Sequence, residues 1–461
     1  MAKKKSFPTI TASTVAPPPE WALLQRQLFS ILEEAGDMAT EGYARPDGRV
    51  YHFFDVDDAY ESRSMRAMLY ALGGDERFLH IAKREWDAIT WLYSEERQLT
   101  KEDPMHPMYM PQLRNEYWNL SVPFNADWFH MGEGNQMLYD FGVADPANPS
   151  NRERARRFAA MYIGEDPEAP NFDPEHGVFR SPLHGGAGPL TSVRQHEGIV
   201  HREGGVSDYV HLVRHWLDRG SMGDFGHRNV LQDNPSKEPL TPHFLYPAIK
   251  ELEPRWYEDE TRRDEVIDLF DKMALQGDEP AGMVSTALVT NAYLYTGDNK
   301  YKQWVLDYTE AWMERTQQNG GICPDNVDHN GVIGGQREGV FWGGQYGWQH
   351  YQGYNIMYHG INIAVECAQL LTGDSGYLDF LRSQVKLQVD NGRKAEIGQL
   401  LVPVRYCPDG WDWNPAPGLH ERNGIEMRGY CLEPTPLRGK DIMHLYHASM
   451  DKEDYEMATY V

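Results

Sequence analysis

The chain has 461 residues and a formal net charge of −25, because 69 aspartates and glutamates outnumber 44 lysines and arginines. This excess of negative charge disfavours nucleic acid and anionic membrane surfaces as partners, since both would repel the protein. No stretch approaches the roughly 18 consecutive apolar residues of a membrane-spanning helix, and the four cysteines show neither zinc-site spacing nor a clear disulfide framework. We therefore expect a soluble, cytoplasmic protein.

The beginning of the chain predicts a tail followed by a helix. Residues 1–18 start with MAKKK and run into the proline-rich VAPPP, which favours a short flexible segment. No apolar run follows the lysines, so a secretory signal is not expected. Residues 20–36, EWALLQRQLFSILEEAG, have apolar residues at helical spacing and predict the first helix. Residues 19–461 are expected to form one catalytic domain.

A short motif recurs between the predicted helices, most clearly as TGDNKY at 296–301 and TGDSGY at 372–377. Its glycine suits the left-handed residue that ends a helix, and its aspartate can cap the next helix. Related joints fall at regular intervals along the chain, at Gly73, Gly142, Gly220, Gly297, Gly373 and Ser449. This period exceeds that of the short helical repeats and leaves room for two helices and a long loop.

Six such units predict an all-α fold of the (α/α)6 toroid type, with six helical hairpins around a central cavity. The sixth hairpin lacks most of its second helix, so residues 20–36 are expected to lie beside the C-terminal segment and close the ring. The alternative is an open helical array whose joints look alike because few residue types suit a turn.

Carboxylates in the first third of the chain are one candidate for chemistry. Asp57 and Asp58 stand at the start of a predicted helix, where they could also act as N-terminal caps. Hydrolysis of a glycosidic bond usually needs one protonated and one ionised carboxyl. Asp57 or Asp58 could form such a pair with Glu133 or Asp325.

The long loops carry the other candidates, because loops on one rim of a helical ring are where a cavity would open. The residues singled out there are aromatic, imidazole, amide and guanidinium side chains, namely Asn125, Trp128, His130, His184, His196, His201, Tyr209, Arg337, Trp342, Tyr346, Trp348 and His350. The densest group lies in the glycine-rich stretch 320–360. Flat aromatic surfaces beside hydrogen-bonding groups are suited to sugar rings.

Metal binding has weaker support. HLVRH places His211 and His215 on one face of a predicted helix, a spacing that can hold zinc. The glutamate of the metalloprotease motif is missing, so a hydrogen-bonded or surface pair is the preferred interpretation. No metal or other cofactor is predicted, although a divalent metal is left open.

The hairpin pattern, the TGDxxY joints and the loop FWGGQYGWQHY together resemble the α/α-toroid carbohydrate-active enzymes. That group includes polysaccharide lyases, unsaturated glucuronyl hydrolases and sugar epimerases. The resemblance implies a sugar-binding cavity. The chain has no phosphate loop, dinucleotide fingerprint, nucleophile elbow or kinase signature. The absence of these motifs excludes several other reaction classes and so favours carbohydrate chemistry.

The reaction expected from these residues is β-elimination on a uronate-containing oligosaccharide or polysaccharide. Its catalytic residues would be drawn from Tyr346, His350, His130, His201 and Arg337. Substrate contacts would come from Asn125, Trp128, His196, Tyr209, Trp342 and Trp348. A glycoside hydrolase that uses the carboxylates above is the first alternative, and a non-catalytic oligosaccharide-binding protein is the second. The oligomeric state is left open.

Overall fold

The computed structural model describes the larger part of the chain. The described residues are 11, 14, 16–51, 56–94, 113–119, 128–196, 209–210, 213, 245, 247–249, 252–253, 255–344, 346–348, 352–396, 398–403, 405–407, 409–413, 419–422, 425–428, 435–436 and 440–460. Within these residues the protein is mostly helical, which confirms the all-α class.

The helices are joined by short turns or by longer irregular segments. In chain order they are α1 (Glu20–Tyr43), α2 (Val56–Glu61), α3 (Arg66–Ala71), α4 (Arg77–Ser94), α5 (Trp128–Gly134), α6 (Gln136–Ala144), α7 (Pro149–Ala160), α8 (Glu260–Ala274), α9 (Ser285–Thr296), α10 (Asn299–Gln318), α11 (Gln352–Thr372), α12 (Leu378–Asp390), α13 (Lys440–Ser449) and α14 (Lys452–Tyr460). A 3-10 helix, Pro280–Val284, leads directly into α9. None of the helices in the described part of the chain is long and apolar enough to cross a membrane.

The strands are short and antiparallel. The pairs are β1 (Leu113–Arg114) with β2 (Tyr117–Trp118), β3 (Phe172–Asp173) with β4 (Val178–Phe179), β7 (Arg405–Cys407) with β8 (Gly410–Asp412), and β9 (Leu419–Arg422) with β10 (Ile425–Arg428). A further sheet places β6 (Leu400–Val402) between β5 (Arg393–Lys394) and β11 (Thr435–Pro436).

The repeated joints have the predicted local structure at three places. Gly297 ends α9 in the left-handed region, with φ +67°, and Asp298 accepts a 3.1 Å hydrogen bond from the Lys300 amide at the start of α10. Gly373 also has a positive φ, and Asp374 caps the turn before α12. The Gly73 joint repeats the arrangement between α3 and α4. These predictions are confirmed.

Two other joints are built differently from the prediction. Gly142 lies inside α6 rather than at its end, and the cap of α7 is Asn148, whose side chain accepts from the Ser150 amide at 2.9 Å. At the last joint the left-handed residue is Met450, with φ +53°, while Asp451 caps α14. The joint expected at Gly220 lies outside the described residues.

The hairpins pack against one another in sequence. Helix α3 contacts α6, α7 contacts α9, α9 and α10 contact α11, and α11 and α12 contact α13. The hairpin of α9 and α10 thus contacts α7 through α9, and the hairpin expected at Gly220 lies outside the described residues. A helical-hairpin array is therefore what the described residues show, and the six-membered toroid stays a prediction.

Helix α1 does not occupy the expected position beside the C-terminus in the described residues. It lies on α3 and the start of α4, where Gly36 contacts the Phe78 ring and Asp37 forms a 3.0 Å ion pair with Arg77. Helices α13 and α14 pack instead on α11 and α12, with Asp454 paired to Arg382 at 2.7 Å. Apart from Phe29, the half-buried residues of α1 are small or polar, so this face offers little apolar surface for packing against the C-terminal helices.

Two hydrophobic clusters form the interior. The larger one joins the hairpins and contains most of the buried aromatic side chains, including Trp86, Trp118 and Trp312. The smaller one packs Val266, Ile267 and Phe270 of α8 against the segment that contains Leu183 and Leu190. The second cluster positions the segment from 181 to 196 beside the candidate site described next.

Candidate active site

Close helix packing brings separate parts of the chain together at one end of the hairpin array. The 3-10 helix Pro280–Val284 contacts both α5 and α11, and α2 contacts α5. Glycines permit this approach: a Cβ added to Gly360 would lie 2.2 Å from the Pro280 carbonyl oxygen, and one added to Gly132 would lie 2.9 Å from a Val284 methyl carbon. The loop before α9 is thereby held between two helices.

A small cavity lies next to this contact, and the volume of about 230 Å³ at this place includes the solvent space at its mouth. Its wall combines aromatic rings with carboxyl and imidazole groups, and is formed by Trp128, Phe179, Ser181, Pro182, His184, Asp278, Glu279, Ala281, Gly282 and Tyr346. Apolar walls with a few converging polar groups are typical of ligand sites.

Asp278 is a titratable group of the wall whose two carboxyl oxygens both accept hydrogen bonds. One of its oxygens, Oδ2, accepts hydrogen bonds from the Phe179 amide at 3.0 Å and from the Tyr308 hydroxyl at 2.8 Å. The other, Oδ1, accepts from the Glu279 amide at 2.8 Å. Burial raises the pKa of Asp278 to about 7, although these hydrogen bonds favour the carboxylate. The group can therefore hold and release a proton near neutral pH.

Glu279 is part of the cavity wall and also belongs to a buried charge cluster. Its Oε2 accepts a 3.2 Å hydrogen bond from the Tyr346 amide. Burial lowers the pKa of Arg337 to about 10, while the negative charges of Glu279 and Asp325 oppose that lowering. Arg337 also donates a 2.7 Å hydrogen bond to the Met273 carbonyl. The guanidinium thus acts as an internal counter-ion for Glu279.

Asp325 is the second carboxylate of this charge cluster. It accepts hydrogen bonds from the amides of Gly343 at 3.0 Å and Trp348 at 3.1 Å, so it fixes the glycine-rich loop. Burial raises the pKa of Asp325 to about 7, and the charge of Arg337 acts in the opposite direction. The backbone passes so close to the carboxyl that a Cβ on Gly347 would meet it. In these contacts Asp325 stabilises the conformation of the glycine-rich loop.

His184 lies in the same cavity wall as the carboxyls and is fully buried. Its ring stacks on Phe179 at 5.2 Å between centroids and tilts against Trp128 at 5.0 Å. Burial lowers the pKa of His184 to about 3, so the imidazole is neutral. Among the described residues, neither its ring nitrogens nor the Trp128 indole nitrogen has a hydrogen-bond partner. Buried polar atoms without partners are costly, so these groups suit a polar ligand.

Some predicted residues meet at this cavity. Tyr346 and Trp128, separated by more than two hundred positions, both line it. The ring of Phe129, next to His130 on α5, lies 6.5 Å from that of Tyr346. Glu133 is on the same short helix, and both His130 and Glu133 are half-buried.

Other predicted residues have different surroundings. Trp348 is buried and donates its indole hydrogen to the Cys323 carbonyl at 2.6 Å, and Trp342 is half-buried in the same loop. Asp57 is buried on α2, whereas Asp58 is exposed. Tyr209 is half-buried beside the smaller core, with the Arg194 guanidinium 5.6 Å from its ring.

The remaining predicted residues lie outside the described part of the chain. They are Asn125, His201 and His350, together with the pair His211 and His215 and the side chain of His196. In the residues that are described, no group of three or more histidine, cysteine, aspartate or glutamate side chains has the geometry to hold a metal ion.

Sequence reasoning missed Asp278 and Glu279. The available signal was the acidic pair directly before Pro280, which stands at the first position of a helical turn. Such a pair reads as an ordinary helix start. His184 was noticed among the loop histidines, but its burial between aromatic rings could not be predicted from HGGAG.

Comparison with known proteins identifies the family but no activity. Residues 9–222 and 242–461 match the family described as a domain of unknown function, DUF8034. Because the match covers most of the chain, the protein belongs to this family. No curated protein matches the chain significantly, and no solved structure does so.

Proposed function

We propose that the protein is a carbohydrate-active enzyme that hydrolyses a glycosidic bond at the cavity between Trp128, His184 and Tyr346. The observation that carries the proposal is the pair of carboxyls in the cavity wall. Asp278 holds its proton near neutral pH, whereas Glu279 interacts with the positive charge of Arg337. Glycoside hydrolysis usually needs one protonated and one ionised carboxyl, and different environments are what separate the two roles.

The roles follow from these environments. Asp278 gives its proton to the leaving oxygen as the bond from that oxygen to the anomeric carbon breaks. Glu279 stabilises the positive charge that develops at that carbon or accepts a proton from the attacking water. The water hydroxyl ends on the anomeric carbon. The water proton passes either directly back to Asp278, or to Glu279, which releases it to solvent while Asp278 takes one up from solvent, so both carboxyls regain their starting protonation states. The rings of Trp128 and Phe179 offer apolar surfaces to the sugar.

The charges around the cavity favour a neutral sugar over a uronate. A uronate would bring a carboxylate next to Asp278 and Glu279, and like charges at close range repel. Arg337, the cation expected to hold a uronate, already donates to the Met273 carbonyl and interacts with Glu279 and Asp325. The neutral imidazole of His184 and the indole of Trp128 can instead exchange hydrogen bonds with sugar hydroxyls.

Elimination on a uronate is the second candidate, and it is favoured by one observation. Tyr346 lines the same cavity as Asp278. A tyrosine at this position could transfer the C5 proton while a protonated Asp278 donates a hydrogen bond to the uronate carboxyl. In this assignment Tyr346 keeps its predicted role in proton transfer. Asp278 replaces Arg337 as the group that binds the uronate carboxyl.

A panel of neutral and uronic glycosides and oligosaccharides separates these functions. Hydrolysis adds the mass of water and creates no new ultraviolet absorbance, whereas elimination creates an unsaturated uronate that absorbs. We expect Asp278→Asn to reduce turnover by about a hundredfold or more, and Asp390→Asn, the same change at an exposed position, to leave turnover unaltered. Binding of sugars without turnover would favour the non-catalytic alternative.

The compartment is part of the same proposal. Cys323 and Cys367 are free thiols, the first of them fully buried. Free thiols are the usual state in a reducing cytoplasm. We therefore place the enzyme there, with an oligosaccharide as its substrate.

A further inference from the structure

Helix α1 presents an apolar stripe away from the body of the protein. None of its 24 residues is buried. The side turned inward is half-buried and carries Phe29 as its one large apolar side chain. The contacts given for it include polar ones: Glu33 accepts from the Asp75 amide at 2.9 Å, and Asp37 pairs with Arg77. The large side chains of Leu24, Leu28 and Ile31 are each more than half exposed on the other side.

The stripe has the spacing of a coiled-coil seam. We name as the seam the residues that follow one another at alternating intervals of three and four, namely Trp21, Leu24, Leu28, Ile31, Ala35 and Met38. A regular three-four pattern places every member on one narrow stripe of a helix and is what two pairing helices present to each other. An ordinary surface helix turns its apolar side toward the core, and α1 does the opposite.

We propose that the seam of α1 pairs with the seam of a second copy of this chain, so that the protein forms a dimer through α1. The residues that flank the seam are the uncharged Gln25, Gln27, Leu32 and Ala39 and the acidic Glu20 and Glu34. Flanking charges are what usually select a different partner. Because four of these six residues are uncharged and none is basic, two identical seams can meet with few like charges beside them.

The small area of the seam and the net charge of the chain limit the affinity of this dimer. The seam runs from Trp21 to Met38, about 26 Å along the helix, and this one stripe is smaller than the roughly 800 Å² per partner of a standard interface. The net charge of −25 also repels a second copy. The dimer should therefore be concentration-dependent and should strengthen when salt screens the repulsion.

Sedimentation velocity of the full chain over a range of concentrations, at about 50 and about 500 mM NaCl, tests the proposal. We expect the mass to approach that of a dimer as concentration rises, with tighter association at the higher salt. The double variant Leu24→Glu/Leu28→Glu should raise the dimer dissociation constant by at least about tenfold, because it places charges in the apolar seam.

Leu23→Glu/Ser30→Glu is the matched control, since it adds the same charge to exposed positions of α1 outside the seam. It should keep the dimer. Because the seam side chains are exposed, both variants should have the thermal midpoint of the unaltered monomer. A chain that stays monomeric at every concentration and salt would overturn the proposal. A dimer that withstands Leu24→Glu/Leu28→Glu would overturn the role of α1.

Discussion

The Tyr308 hydroxyl donates a 2.8 Å hydrogen bond to Oδ2 of Asp278, in the buried wall of the cavity. This contact joins α10 to the loop before α9. It favours the carboxylate form of Asp278 against the larger effect of burial, which raises the pKa to about 7. Tyr308 therefore sets how far the pKa of Asp278 rises, without lining the cavity itself.

Replacing Tyr308 with phenylalanine should raise the pKa of Asp278 above that of the unaltered protein, because the carboxylate loses a donor while the acid form does not. If Asp278 is the proton donor, the alkaline limb of the pH–activity profile moves to higher pH. Tyr301→Phe, a buried tyrosine on the same helix, is the control. An alkaline limb that does not move in Tyr308→Phe would remove Asp278 from the acid role.

Arg337 should be needed for folding. Arg337→Met leaves the buried carboxylates of Glu279 and Asp325 without their internal cation, and breaking a buried ion pair typically costs about 3–5 kcal/mol. Chemical denaturation should therefore show a large loss in the free energy of unfolding. The control Arg156→Met removes an exposed ion pair with Glu153 and should change that free energy by less than about 1 kcal/mol. If Arg337→Met lowered the free energy of unfolding as little as Arg156→Met does, Arg337 would not be the counter-ion of the cluster.

His184 should make the protein sensitive to acid. The folded-state pKa is about 3 and the ordinary value is 6.5. Between these values the unfolded chain binds a proton that the folded protein does not, so stability is present above pH 6.5 and is lost as the pH falls toward 3. His184→Phe should flatten this part of the stability–pH curve by on the order of 1 kcal/mol per pH unit.

His80→Phe is a suitable control for this measurement, because His80 is exposed on α4. The free energy of unfolding is compared for the three proteins at several values between pH 4 and pH 7. An unchanged slope in His184→Phe would show that His184 is accessible to protons in the folded state.

Substitutions at two joint residues with a positive φ should have opposite effects on the stability of the protein. Gly297 has φ +67° and free space around it, so Gly297→Ala should cost about 1 kcal/mol through backbone strain alone. Met450 has φ +53° with a side chain present, so Met450→Gly should be neutral or stabilising by up to about 1 kcal/mol. Thermal unfolding checks both. Destabilisation by Met450→Gly would mean that the Met450 side chain contributes more than its strain costs.

Features that depend only on neighbouring residues could be predicted from the sequence. The helical class, the joints at Gly297 and Gly373 and the caps Asp298 and Asp374 were all predictable, because a left-handed glycine and a capping aspartate act within a few positions of the chain. The same local rules identified the helical spacing of the apolar residues in 20–36. They could not say whether that stripe would face the body or the solvent.

Which side chains form the candidate site depends on contacts between distant parts of the chain. Asp278 is held by the Phe179 amide, 99 positions earlier, and by Tyr308, 30 positions later. His184 becomes a neutral, buried imidazole only because Phe179 and Trp128 cover it. Proton affinity depends on burial and on charges brought from distant parts of the chain, and no spacing in the sequence encodes either of these.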